Sequence, residues 1–292
     1  MKCWYTLSRF GILNNSYATP ADIKSDCCVV NYKGTLFCAY IAEGSDQNVK
    51  FISKPSAAGW GNPLEVGAES LSGSPAVFVF RNKLYVLCSG RHIVREQSVS
   101  AHLAEYDDLT GRFTVTEFAA QFVGGPSLVE HNEQLYMFYK EPDSTTVLWK
   151  STRDMVNWSE AKPVKIDGAL NLSCALDPVA ISYQGLIHLV ANNELGKGSL
   201  LIKFDGDTAW TRARTWITRD YSSPPGLAIH NGLLKVAFSG WKGNLSTRAI
   251  DLYGYDGNAI SEPDTSMRLG AKFRVSMAVQ DGILYVLYHG QD

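Results

Sequence analysis

The chain has 292 residues, of which 45% are hydrophobic and 19% are charged, and its formal net charge is −2. Charges spread this evenly argue against nucleic acid as a partner, because binding to phosphates needs a basic face. No apolar run is long enough to cross a bilayer, and the first residues lack the continuous apolar stretch of a signal peptide. We therefore expect a protein that stays in the cytoplasm or is released without a classical signal peptide.

A motif of two apolar stretches joined by a short turn recurs six times along the chain. The aligned turn residues lie 48, 51, 52, 47 and 50 residues apart, and they are Gly34, Asn82, Glu133, Gly185, Gly232 and Gly282. The 10 residues after Gly282 and the first 34 residues together give 44, so the period continues across the chain ends. A repeat of this length predicts a β-propeller, and its continuation across the ends predicts a closed ring of six blades.

Each repeat is predicted to form four antiparallel strands. The innermost strand (residues 76–80 in the second repeat) often follows a proline, because the first residue of a strand can spare its N–H donor. A tight turn follows, where glycine or asparagine fits a positive φ. The second strand is apolar on both faces, as expected for a strand packed between two blades. The two outer strands are joined near an aromatic residue in four repeats: Trp60, Phe113, Trp158 and Trp210.

The last repeat supplies only two inner strands, within residues 274–288. Its outer strands are predicted to come from the N-terminus, around residues 3–9 and 16–18. Joining the first and last segments in one sheet would leave the ring without a free edge. All of residues 1–292 would then form a single propeller domain.

Neither the cysteines nor the histidines have the spacing of a metal site. His92 and His289 lie in separate loops, without an HxH or HExxH pattern, and no CxxC pair is present. We therefore expect no metal and no cofactor, and we expect free buried thiols rather than disulfides. The six cysteines are Cys3, Cys27, Cys28, Cys38, Cys88 and Cys174.

A polar column precedes the inner strands, eight residues before each aligned turn residue. Its members are Asp26, Ser74, Gly125, Asp177, Pro224 and Arg274. Because inner strands of a propeller begin near its axis, we expect these side chains to gather around one pocket on that face. Asp26 and Asp177 would face each other across a ring of six, and Arg274 would adjoin Asp26, with which it could pair. Neighbouring loops add Arg91, Glu141, Asn192, Tyr221, Trp241 and His289.

The segments 75–90, 225–240 and 275–290 resemble the repeats of bacterial and fungal propeller lectins that bind fucose or N-acetylglucosamine. The segments 151–158 and 204–210 resemble the second half of those repeats, and they also resemble the aspartate box of sialidases. The resemblance implies a propeller and, by analogy, carbohydrate binding. In this chain, however, no residue type other than glycine recurs in register in the loops, and these lectins usually have seven blades. The divergence favours a single asymmetric pocket over many equivalent sites.

Two functions follow from these patterns. The first is a lectin-like carbohydrate-binding propeller, in which Trp241 or Tyr221 stacks on a sugar while Asp26, Asp177, Arg91, Asn192 and Arg274 hold hydroxyl groups. The second is an enzyme with one axial pocket, such as a glycoside hydrolase, an isomerase or a cyclase. The general acid or base of this enzyme would be Asp26, Asp177 or Glu141. The residue that stabilises charge would be Arg274 or His289.

A protein-docking propeller is a third possibility, although no exposed apolar patch is evident from the sequence. A carbohydrate or another small molecule is the expected partner.

Overall fold

The computed structural model describes residues 4–8, 11–13, 23–42, 48–69, 73–89, 101–118, 122–166, 170–192, 198–207, 210–217, 221, 223–239, 250–263 and 274–288. For the described residues up to 26, and for residues 212–217, the structure describes the backbone alone. Within these ranges every regular element is a strand, and the protein is an all-β propeller. No described helix is long and apolar enough to span a membrane.

The strands follow one another in short hairpins. They are β1 (Trp4–Ser8), β2 (Gly11–Leu13), β3 (Ile23–Tyr32), β4 (Thr35–Ala42), β5 (Asn48–Lys54), β6 (Leu64–Glu69), β7 (Ala76–Phe80), β8 (Lys83–Cys88), β9 (Ala101–Asp107), β10 (Arg112–Phe118), β11 (Val123–His131), β12 (Gln134–Lys140), β13 (Val147–Thr152), β14 (Lys162–Pro163), β15 (Lys165–Ile166), β16 (Leu170–Asn171), β17 (Val179–Tyr183), β18 (Leu186–Asn192), β19 (Ser199–Phe204), β20 (Trp210–Ile217), β21 (Gly226–His230), β22 (Leu233–Ser239), β23 (Ile250–Tyr255), β24 (Ser276–Gln280) and β25 (Ile283–Leu287).

In the described residues these strands form five four-stranded sheets, one three-stranded sheet and the short pair β15–β16. Four of the larger sheets run in chain order as β3–β6, β7–β10, β11–β14 and β17–β20, and the fifth has the order β2-β1-β25-β24. In that fifth sheet Thr6 pairs with Tyr285, so strands from both chain ends share one sheet. Its outermost strand is β2, a few residues before the predicted segment 16–18, which lies outside the described residues.

The first strands of neighbouring sheets lie side by side. Strand β3 contacts β7, β7 contacts β11, β11 contacts β17, β17 contacts β21, β21 contacts β24, and β24 contacts β3. These contacts bring the starting residues of the six strands together near a common axis, and the site is built at those starts.

The inner hairpins have the backbone that the sequence predicts. Both central turn residues have positive φ in every case, as in a type I′ turn: Lys33 and Gly34, Arg81 and Asn82, Asn132 and Glu133, Gln184 and Gly185, Asn231 and Gly232, and Asp281 and Gly282. Five of these residues adopt this conformation without being glycine or asparagine, with φ values from 47° to 60°: Lys33, Arg81, Glu133, Gln184 and Asp281. The turn geometry is therefore confirmed at all six copies, including those where the residue type is unfavourable.

The core lies between the sheets. The aligned aliphatic residue of each second strand is completely buried: Leu36, Leu84, Leu135, Ile187, Leu234 and Leu284. Each buried cluster combines residues of two adjoining sheets, as where Phe51 of β5 packs edge-on against Phe113 of β10 with ring centroids 4.8 Å apart. Full burial of each such side chain contributes about 1.5–3 kcal/mol.

The turn from Thr152 to Trp158, which resembles an aspartate box, has a structural role. Asp154 accepts hydrogen bonds from the backbone N–H groups of Val156 and Asn157 at 2.9 and 2.7 Å. These hydrogen bonds hold the pKa of Asp154 well below its usual range. Trp158 then packs edge-on against Phe118 of the neighbouring sheet, 5.5 Å between centroids. This carboxylate serves the turn and lies at the outer end of the sheet.

Candidate functional site

A cavity of about 110 Å³ lies on the axis where the inner strands begin. Each of the six first strands contributes to its wall, together with residues just before them. Its polar lining residues are Cys28, Ser127, Arg274 and Ser276, and the others are apolar residues or glycine. Binding pockets for whole organic ligands usually measure about 300–1,000 Å³. This cavity therefore suits one substituent or a few water molecules, and a sugar ring would have to lie at its mouth.

Four members of the predicted polar column, Ser74, Gly125, Asp177 and Arg274, lie close to one another, and of these Arg274 lines the cavity. A Cβ atom on Gly125 would lie 3.2 Å from Nη1 of Arg274 and 3.3 Å from the carbonyl oxygen of Ser74. Arg274 precedes β24, which lies between β21 and β3, whereas Gly125 is in β11. The guanidinium group of Arg274 therefore reaches across the axis, into space that a side chain at 125 would occupy. Only 7% of Arg274 is exposed.

Asp177 meets the same glycine from the other side. Its Oδ2 accepts a hydrogen bond from the N–H of Gly125 at 2.7 Å, and its Oδ1 lies 3.4 Å from Nζ of Lys140. The strand β11 is irregular between Val123 and Ser127, which places the two glycines outside the regular ladder. A Cβ on Gly124 would overlap the carboxylate of Asp177. The glycine pair therefore permits the close approach of Asp177 to the backbone.

Lys140 is a site residue to which sequence reasoning assigned no role. It ends β12, its side chain is 9% exposed, and its Nζ donates a hydrogen bond to the carbonyl oxygen of Ala175 at 2.9 Å. In the sequence it is one of many charged residues at strand ends. Its burial and its two contacts are properties of the tertiary structure.

The remaining candidates fall into three groups. The backbone of Asp26 lies in the irregular start of β3, between Ile23 and Cys27, and its side chain lies outside the description. Glu141 is exposed directly after Lys140. The third group lies outside the described residues: Arg91, Trp241 and His289.

The structure corrects the roles assigned to Tyr221 and Asn192. Tyr221 is 1% exposed and stacks on Phe238, with ring centroids 4.5 Å apart. Its hydroxyl donates to Oδ2 of Asp251 at 2.6 Å, and the amide of Asn192 donates to the carbonyl oxygen of Tyr221 at 3.3 Å. Both side chains are part of the core, so neither presents a surface to a sugar.

The small polar residues of the cavity wall link neighbouring inner strands. Ser276 Oγ accepts the N–H of Val29 at 3.0 Å, and Ser127 Oγ accepts the N–H of Ala180 at 2.9 Å. Cys28 Sγ accepts the N–H of Val77 at 3.4 Å, and burial raises the pKa of its thiol while Arg274 opposes the shift. Cys28, Ser127 and Ser276 each lie six residues before the aligned turn residue of their own repeat. The alignment of the repeats could therefore have identified them as a second column. Within the described ranges no group of three metal-ligating side chains is assembled.

Solved structures with a similar fold include several that act on carbohydrates. Trypanosoma rangeli sialidase aligns with 98% of this chain and 56% of its own, at 15% identity and a TM-score of 0.62. A GH43_1 enzyme from Xanthomonas citri, solved with xylose, aligns with 84% of this chain and 92% of its own, at 11% identity and a TM-score of 0.55. A Hadza microbial sialidase aligns with 91% of this chain and 65% of its own, at 11% identity and a TM-score of 0.59.

These similarities are to the fold. At identities of 11–15% they establish a β-propeller of the kind seen in sialidases and GH43 enzymes, and they do not support the lectin type. This chain spans little more than half of the length of the T. rangeli sialidase. No protein-family model and no curated protein matches the chain.

Proposed function

We propose that the protein acts on a carbohydrate and that it hydrolyses a glycosidic bond at the axial face. The observation that carries the proposal is the meeting of Asp177, Lys140 and Arg274 at the starts of the inner strands. The similarity of the fold to glycoside hydrolases supports it. A carboxylate and a buried guanidinium group beside a small cavity suit the charges that develop when a glycosidic bond breaks.

Glycoside hydrolysis generally needs two carboxyl groups, one on each side of the scissile bond. Asp177 is the first, and its contacts with an N–H and an ammonium group suit a carboxylate that acts as base or nucleophile. Asp26, the equivalent residue in β3, is the proposed acid, with Glu141 as the alternative. Arg274 would stabilise negative charge on the sugar or on the leaving group. The mechanism needs no metal and no cofactor.

Carbohydrate binding without turnover is the second candidate, and the resemblance to propeller lectins favours it. In that case the same face would bind a sugar at one site, because the loops of the repeats differ. The two functions share a ligand class and differ in whether product forms.

The test is a panel of fluorogenic glycosides, including sialosides, xylosides, arabinofuranosides, fucosides and N-acetylglucosaminides. We expect turnover of at least one, and we expect Asp177→Asn to lower kcat about 100-fold or more. Asp108→Asn is the matched control, because Asp108 is a half-exposed carboxylate ion-paired with Lys33, near the inner turns. Sugar binding with no turnover would establish the lectin function instead, and full activity of the Asp177 variant would place the site elsewhere.

We also propose that the ring has six blades and closes through the chain ends. The circuit of contacts among the first strands and the pairing of β1 with β25 support this arrangement. Deletion of residues 1–10 removes β1 and should lower the melting temperature sharply. An unchanged melting transition in the truncated protein would contradict closure. A single domain over residues 1–292, and residence in the cytoplasm or release without a signal peptide, stay predictions.

A further inference from the structure

Lys140 is a buried cation at the axial face, with a side chain that is 9% exposed. Burying an ammonium group is unfavourable unless it is paired and hydrogen-bonded. Its Nζ lies 2.9 Å from the carbonyl oxygen of Ala175 and 3.4 Å from Oδ1 of Asp177. Both acceptors belong to the short segment that leads into β17, whereas Lys140 belongs to β12 of the preceding sheet. One ammonium group thus holds the backbone and the side chain of the segment that carries Asp177.

The second oxygen of Asp177 is held by the same sheet. Lys140 pairs with Val123 across the ladder of β11 and β12, and Gly125 follows two residues later. The N–H of Gly125 and the ammonium group of Lys140 therefore approach the carboxylate from one sheet, with a hydrogen bond at Oδ2 and an ion pair at Oδ1. Two separate contacts, one at each oxygen, define the plane of a carboxylate, which a single contact cannot do.

We propose that Lys140 is a positioning residue that sets the orientation of the Asp177 carboxylate at the axial pocket. Its catalytic consequence rests on the proposed glycoside hydrolysis, whereas the geometry can be tested without a substrate. Reaction rates depend steeply on the placement of the reacting groups, and a displacement of about 1 Å can cost about 100-fold. Without Lys140 the carboxylate would keep the hydrogen bond from Gly125 and could rotate about it.

An ordinary ion pair that only stabilises the fold would behave differently. Removing it would lower the melting temperature and leave kcat unchanged in the folded protein. A positioning role instead predicts a lower kcat with little change in KM, because the substrate still binds. It also predicts that Lys140→Arg, which keeps the charge and the donors, restores most of the activity lost in Lys140→Met.

The geometry can be observed at one amide. Gly124–Gly125 is the only Gly-Gly pair in the sequence. Protein labelled with 1-¹³C,¹⁵N-glycine therefore gives one carbonyl-coupled amide signal, that of Gly125. We expect Lys140→Met to move this signal toward its position in Asp177→Asn and to speed its hydrogen exchange, whereas Lys140→Arg stays near wild type. Lys83→Met, which removes a half-exposed ion pair with Glu105, is the control and should leave the signal unchanged.

The outcomes separate this inference from the proposed function. A Gly125 signal in Lys140→Met that matches wild type overturns the positioning role, whatever the activity. If no glycoside is hydrolysed by the wild type, the proposed function fails while the amide signal still decides the geometry. Where turnover is found, kcat should fall about 10- to 100-fold in Lys140→Met with KM within about twofold. An unchanged kcat would also overturn the proposal.

Discussion

Gly124 offers the sharpest test of how Asp177 is held. Its φ is +74°, and a Cβ there would lie 2.7 Å from Cγ of Asp177 and overlap the carboxylate oxygens. Gly34 has nearly the same φ, +78°, and a Cβ added there would meet nothing within 4 Å. The two glycines therefore share the backbone cost of a substitution and differ in the steric cost. Gly34→Ala is the matched control for Gly124→Ala.

The two costs can be worked out separately. An alanine at positive φ costs about 1–2 kcal/mol, part of which the lower entropy of the unfolded chain offsets. Displacing Asp177 forfeits a hydrogen bond to a charged group, which adds about 1.5–3 kcal/mol. We therefore expect about 1 kcal/mol for Gly34→Ala and about 2.5–4 kcal/mol for Gly124→Ala. At about 2–4 °C per kcal/mol, the melting temperature should fall about three times as far in the second variant.

A double-mutant cycle identifies the cause. In an Asp177→Ala background the overlap is absent, so Gly124→Ala should then cost about as much as Gly34→Ala. The coupling free energy between positions 124 and 177 should be about 2 kcal/mol, measured by chemical denaturation of the four proteins. Equal losses for Gly124→Ala and Gly34→Ala in the wild-type background would refute the close approach of Asp177 to β11.

Three further predictions concern buried groups. Burial lowers the pKa of His188 to about 4, so only the unfolded chain gains a proton as the pH falls below about 6.5. The free energy of unfolding should therefore drop by about 3 kcal/mol between pH 6.5 and 4, and His188→Phe should make this dependence on pH weaker. Burial raises the pKa of the Cys88 thiol to about 12, so this thiol should resist a thiol reagent at pH 8 while the protein is folded. In the unfolded protein all six cysteines should react as free thiols, and a lower count would reveal a disulfide. Tyr221→Phe keeps the ring and loses the hydroxyl group that is hydrogen-bonded to Asp251, so the free energy of unfolding should fall by about 1–3 kcal/mol. A change in sugar affinity at constant stability would instead show that Tyr221 belongs to the binding site.

Much of the fold can be predicted from the sequence because its signals are local. The second strands are apolar on both faces, and each inner turn places two residues at positive φ. These properties depend on neighbours in the chain, so six aligned copies specify the hairpins even where other residues, such as Arg81 and Glu133, replace glycine or asparagine. The same alignment identifies the polar column, and Asp177, Arg274, Ser74 and Gly125 do meet.

What those residues do was decided by packing between segments distant in the sequence. Tyr221 is a loop residue by pattern, yet Asp251 and Phe238 from other strands bury it in the core. In the sequence Lys140 is one of several charged residues at the ends of strands. It becomes the partner of Asp177 only because the segment before β17 packs against β12. Gly125 matters because Arg274 reaches it from across the axis. The repeat determines where strands and turns lie, whereas burial and charge pairing depend on side chains that meet only when the sheets pack together.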